Sequence, residues 1–359
     1  VMKDYADGAL LREEEIERER GVILAEKQAR DSASYRTFVS AFRFEMEGIR
    51  ASYRLPIGIE KTIREADRAR LKADYDTWYR PEKMVLVMVG DFEAEAAEAL
   101  VRSRFSGFSG RAPSQPEPDL GRLDHRGIKP FYHYEKEAGQ TTVSIEVLSS
   151  VSRQDDTAAL KQERLVRDVA HRIVQNRLDR LLRNADAPFT SAYISAGRFL
   201  HEIAYGEISA QGPPETWARR LSVLEQTLRR ALTHGFTDAE LDRVRSDLLA
   251  EMQDEVRKAP TRDSMDLSRE IVRRINRNRV LQSPAQKQAL LAPFLSDLTA
   301  GAVNRVFRDT WSSPHRLVLV TGNARIEGAA GGPEETIQRV FFESRRRPVE
   351  PPQDSRVEA

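Results

Sequence analysis

Asp76-Thr77-Trp78-Tyr79-Arg80-Pro81-Glu82-Lys83-Met84-Val85-Leu86-Val87 recurs without a gap, 233 positions on, as Asp309-Thr310-Trp311-Ser312-Ser313-Pro314-His315-Arg316-Leu317-Val318-Leu319-Val320. Each copy reads as a helix ending near its tryptophan, a proline break, and a short apolar run suited to a buried strand. A second correspondence lies upstream at an offset of 225. There Glu15-Ile16-Glu17-Arg18 aligns with Glu240-Leu241-Asp242-Arg243, and Ile23-Leu24-Ala25-Glu26 with Leu248-Leu249-Ala250-Glu251. Two collinear matches at nearly equal offset predict one near-complete copy of a unit of roughly 230 residues, preceded by the rear part of another.

Working outward from these anchors, residues 11–50 read as helical, 53–58 as a Pro/Gly loop, 60–77 as helix, 84–89 as a buried strand and 93–105 as helix. The prolines of 110–118 favour an extended linker. Beyond it, Val143, Ile145 and Val147 alternate with polar residues as a half-buried strand should. Leu160, Leu165, Val169, Ile173, Leu178 and their neighbours describe a long amphipathic helix. Strands are expected at 192–194, 204–209 and 317–320, and helices at 217–232, 238–256 and 263–275. The fold class is therefore α/β in α+β layers: tandem homologous units, each a sheet flanked by helices, the first truncated. The divisions fall at 1–109, a Pro-rich linker at 110–122, a second unit at 123–344, and a disordered or linking tail at 345–359.

The helix carrying the upstream match holds the candidate site. Ile16, Glu19, Ile23 and Glu26 lie three and four residues apart, on one stripe. The isoleucines turn that stripe towards a core, and a carboxylate there needs a cation, a metal or good donors. In the second copy Ile16 and Ile23 become Leu241 and Leu248, Glu26 becomes Glu251, and Glu19 becomes Val244. A helix at this place thus folds with an apolar residue where Glu19 stands, which favours a site role for Glu19 in the first copy.

Glu-x6-Glu within Arg-Glu-Arg-Gly-Val-Ile-Leu-Ala-Glu resembles the downstream glutamate motif of the pitrilysin/insulysin family of zinc metallopeptidases, whose zinc motif is inverted. Tyr79-Arg80-Pro81 with its Val-rich strand and Gly90-Asp91 is also typical, as is 178–189, and the likeness covers roughly residues 10–325. The resemblance implies zinc-dependent hydrolysis of unfolded peptides in an enclosed chamber. It makes Glu26 the third protein ligand of zinc and Glu19 an acid supporting it, with 1–109 the rear of the catalytic-type domain and 123–344 a non-catalytic one. The family's His-x-x-Glu-His is absent: His125, His133, His171, His201, His234 and His315 all follow Glu26, and none has that spacing. On this reading the chain is an internal piece, inactive and without zinc by itself. It depends on the N- and C-terminal remainder of the protein or on a partner subunit, with a peptide as substrate. Glu251 reads as a structural relic. The family's Arg-x6-Tyr substrate pair has only Arg183 and Thr190 at the matching place. The alternative is a non-enzymatic relative that has lost the zinc motif and serves as a partner or core subunit.

Composition sets the outer bounds. Lys plus Arg number 57 against 56 Asp plus Glu, a net charge of +1, which excludes the basic excess of a nucleic-acid binder. No cysteine is present, so disulfides and thiolate chemistry are excluded, which fits either periplasm or cytoplasm. No apolar run has the length of a membrane span.

Overall fold

A computed structural model describes residues 1–327 and 331–352. The chain divides into two compact units. One takes in Val1–Ser32, Ile49–Gly121 and Arg262–Arg274, the other Ala33–Gly48, Arg122–Thr261 and Ile275–Ala359. In chain order the helices are α1 (Met2–Asp7), α2 (Glu13–Ala29), α3 (Ala33–Glu45), α4 (Glu60–Glu65), α5 (Arg68–Trp78), α6 (Ala94–Phe105), α7 (Ala158–Leu182), α8 (Trp217–His234), α9 (Asp238–Lys258), α10 (Ser264–Asn276), α11 (Pro284–Ser296), α12 (Ala300–Thr310) and α13 (Gly332–Arg345). The strands are β1 (Ile128–Tyr134), β2 (Thr141–Ser150), β3 (Ser191–Phe199), β4 (Ile203–Gly212) and β5 (Arg316–Gly322).

The first unit is built from helices with a thin core in which Ile49 and Tyr75 are the large buried side chains. Polar tethers hold its pieces together. The Arg20 guanidinium donates to the carbonyls of Ile63, of Arg64 at 2.9 Å and of Ala66 at 2.7 Å. These are among the carbonyls that a helix C-terminus leaves without partners. Arg111 pairs with Asp76 at 2.7 Å and lies over the Tyr75 ring. Arg80 of the Arg-Pro motif is buried and donates to the Ala112 carbonyl at 2.9 Å. The helix expected over 60–77 is interrupted: Asp67 accepts from the Arg70 amide at 2.8 Å, caps α5 and separates it from α4.

The strand expected at 84–89 does not form. After a 3-10 turn at Pro81–Lys83, residues 84–89 belong to no strand, with Val85 65% exposed and Leu86 and Met88 also exposed. Its counterpart β5 lies between β1 and β2 and bonds to both. Among the described residues of the first unit no strand offers such a ladder, and a single strand cannot satisfy its own backbone groups. The layered architecture is therefore realised in the second unit, around one sheet.

That sheet has the order β1-β5-β2-β4-β3, with β1 parallel to β5 and all other pairs antiparallel. Val143, Ile145 and Val147 of β2, with Val318 and Val320 of β5, turn one face into the main core. Leu165, Val169, Ile173 and Leu178 of α7, Leu221, Leu224 and Leu228 of α8, and Phe307 before Trp311 complete it. The long helix and the 317–320 strand stand where the sequence predicts them; a strand also forms at 143–147, but it is buried on both faces, Ser144 and Glu146 included, rather than half-buried. The repeat's two helices are also present: α2 matches α9, and α5 and α12 each end at their tryptophan. α9 opens with a capping box in which Thr237 accepts from the Glu240 amide and the Glu240 carboxylate accepts from the Thr237 amide. Thr237→Ala should cost about 1 kcal/mol, read as a small drop in the urea midpoint with an unchanged slope. Of the tail expected at 345–359, Arg345 closes α13 and the Val349 carbonyl lies 2.7 Å from His234 Nε2, so this part is packed rather than free; residues 353–359 fall outside the described residues.

Candidate functional site

α2 follows Arg12, which is in extended conformation, and places Glu13, Glu14 and Glu15 in its first turn, where the helix dipole favours negative charge. The predicted stripe is present. Ile16 and Ile23 are half-buried, and Glu19 and Glu26 are exposed. The Glu26 side chain is 45% exposed and pairs with Arg30 one turn on. No residue of α2 is fully buried. The equivalent stripe of α9 is different: Leu241, Val244 and Leu248 are all buried, with Val244 1% exposed in the main core. Glu251 stands at the edge of that stripe and takes a two-pronged hydrogen bond from Arg172 of α7, at 2.6 and 2.8 Å. The Arg172 hydrogen bonds hold its carboxyl below the ordinary value. The same helix position therefore carries an exposed, arginine-paired carboxylate in both copies, tied to another helix at Glu251 and to its own helix at Glu26.

Catalytic zinc takes three protein donors. Among the described residues no group of three His, Cys, Asp or Glu side chains converges in this way. Several histidines hold up the fold instead. His125 Nε2 is 2.8 Å from the Glu45 carbonyl, and His171 Nδ1 is 2.6 Å from the Arg167 carbonyl. His315 Nε2 accepts from the Leu148 amide at 3.1 Å, and burial pushes its ring down to about 4, as it does that of His171. Among the described residues Glu26 is therefore not part of any three-donor group.

The strongest electrostatic feature of the second unit is elsewhere. Glu146 and Glu207 stand directly opposite each other on β2 and β4. Glu45, at the end of α3, is close enough for its charge to act on Glu146. Burial first, then the neighbouring carboxylates, pushes Glu146 well above the usual range and Glu45 up to about 7. Burial raises Glu207 as well, against a hydrogen bond from the Tyr193 hydroxyl at 2.6 Å. The Ser144 hydroxyl lies 2.5 Å from Glu146 Oε1. In the sequence Val143, Ile145 and Val147 stand out as the core-facing residues of this strand. The same period of two puts Ser144 and Glu146 together on the opposite face, so half of the signal was legible. The approach of Glu45, about a hundred residues away in the chain, was not.

The family described as "Peptidase M16 inactive domain" matches residues 65–248. Over 258 residues the chain is 25% identical to a "Zinc protease PQQL-like" of Arabidopsis thaliana, a span of 70% of this chain and 24% of that relative. Over 329 residues it is 23% identical to the "Probable zinc protease PqqL" of Haemophilus influenzae, 89% of this chain and 34% of that one. The solved first half of the periplasmic protease PqqL from Escherichia coli shares the fold, with a TM-score of 0.84 at 18% identity, over 98% of this chain and 75% of that one. The chain thus spans about a quarter to a third of these curated relatives.

Proposed function

Given that the chain belongs to the peptidase M16 inactive-domain family, we propose that it is one part of a zinc-dependent metalloendopeptidase that hydrolyses the peptide bonds of unfolded peptides. It contributes the glutamate-bearing helix α2 and the non-catalytic unit that follows. In this reading residues 1–109 are the rear of the catalytic-type domain and 123–344 its non-catalytic homologue. The observation that carries it is the contrast between the two repeat helices. Val244 seals a core where Glu19 is exposed, and Glu251 is tied to α7 through Arg172 whereas Glu26 pairs with Arg30 inside its own helix. Relatives named as zinc proteases support the metal and the reaction class.

When bound, zinc would supply Lewis acidity and an activated water. Glu26 is the carboxylate this chain would offer to it, and Glu19, two turns away on the same stripe, would tune its charge. The remaining ligands and the general base would come from residues outside the described site, so no step is assigned to them. A periplasmic setting fits a cysteine-free chain with a relative described as a periplasmic protease. Among the described residues no helix is long and apolar enough to cross a membrane.

The test is metal content. After dialysis the purified 359-residue chain should retain zinc well below one equivalent and show no chelator-sensitive peptidase activity. One bound zinc per chain, or hydrolysis that a chelator abolishes, would overturn the proposed incomplete site.

A further inference from the structure

The outer face of the sheet, opposite the main core, carries the carboxylates of Glu146 and Glu207 in register. α3 lies on the β1 and β5 side of this face. Phe44 stacks on Phe131 at 4.7 Å between ring centroids, and Phe42 and Met46 are buried. At the end of α3, Glu45 comes within charge range of Glu146. The charges that raise Glu146 belong to Glu45 and Glu207, so the cluster is made of like groups. β2 and β4 are joined by a full ladder over Thr141–Ser150 and cannot part easily. α3 is held by a few apolar side chains and by the ion pairs Lys129–Glu47 and Arg36–Glu135. The chain also leaves the second unit at both ends of the segment Ala33–Gly48 that contains α3. Repulsion within the cluster is relieved most easily where the attachment is weakest.

We propose that α3 is a proton-operated strap on the outer face of the sheet. It stays docked while Glu45, Glu146 and Glu207 share protons, and it lifts when they ionise together. An acid that holds its proton more tightly in the folded state contributes fully below the unfolded value near 4.5, and the contribution is lost as pH rises through the folded value. For Glu45 the window closes at about 7. The other titratable groups turned towards this face, or packed beside it, do not produce the same effect. Lys129 and Arg36 are already paired, and Tyr193 is pushed further up by burial and by Glu207, so it remains a hydroxyl. His315 is uncharged across the window because burial and His125 depress it. Tyr205 and His133 lie on the same face by register, and His125 contacts the Glu45 carbonyl.

Amide exchange of the 359-residue chain at pH 6 and pH 8.5 tests the strap. After correction for intrinsic rates, amides of Ala33–Glu45 should exchange faster at pH 8.5 by at least about tenfold, the factor carried by one unit of displaced pKa. Those of β2 and β4 should not. Glu146→Gln and Glu45→Gln should each flatten the difference, and the second, at a half-exposed helix end, keeps the test usable if the first misfolds. Equal protection of α3 at both pH values, or the same acceleration in the glutamine variants, overturns the proposal. So does an acceleration that vanishes in His125→Gln yet persists in Glu146→Gln, because a histidine would then be the switch.

Discussion

Val244→Glu should unfold the second unit, or leave it standing with about 3–5 kcal/mol less stability, the cost of an uncompensated buried charge. Its repeat counterpart, Glu19→Val, should change stability by no more than about 0.5 kcal/mol. Both substitutions exchange the same two residue types at matched positions of α2 and α9. Val244 is 1% exposed and packs in the main core, where a carboxylate has neither water nor a named cation. Glu19 stands in solvent. Chemical denaturation followed by tryptophan fluorescence reads both, since Trp311 is buried in the same core as Val244 and Trp78 belongs to the unit that holds Glu19. For a unit of this size the destabilised variant should melt roughly 10 °C lower. A Val244→Glu protein with wild-type stability would mean that the α9 stripe is not the closed surface described here. The repeat would then no longer separate packing positions from site positions.

The second large effect concerns Glu26. On the role proposed for Glu26, Glu26→Gln in a longer protein that completes the site should lower zinc content. Peptidase activity should fall on the order of a hundredfold or more, beyond the roughly 10–100-fold typical of groups that only support a ligand. Glu19→Gln should fall within that smaller range. Glu251→Gln should leave zinc content unchanged, because Glu251 is engaged by Arg172 and serves α7–α9 packing. Zinc by atomic absorption, measured beside the rate on an unfolded peptide, separates ligand loss from a fold defect. Wild-type zinc and rate in Glu26→Gln would end the assignment of Glu26 as a ligand and leave the family membership untouched. The full-length protein is needed because no three-donor group exists among the residues described here.

Much of the candidate site was visible in the spacing of residues. The four-residue stripe of α2, the loss of Glu19 in the second copy and the arginine-proline break are local facts, and local facts are written along a helix. What surrounds Glu26 is not local. Its pairing with Arg30 follows from i,i+4 geometry, but its openness depends on what packs over α2. The carboxylate cluster escaped for a related reason. Glu146 and Glu207 are brought opposite each other by strand register, and Glu45 arrives from a helix far upstream.

By itself the sequence determined the long core helix α7, the helix α9, the strands at 143–147 and 317–320, and the family. Hydrophobic periodicity and residue type act over one or two turns, and they suffice for such elements. Tertiary structure decided the rest. The runs 84–89 and 317–320 carry nearly the same residues, yet one is an exposed segment outside any strand and the other the buried β5. A strand's backbone is satisfied only by neighbours, so β-branched residues offer a strand and the presence of β1 and β2 grants it. The same dependence on distant neighbours ties Glu251 to α7, leaves Glu26 with an arginine of its own helix, and raises the Glu146 carboxyl above its ordinary range.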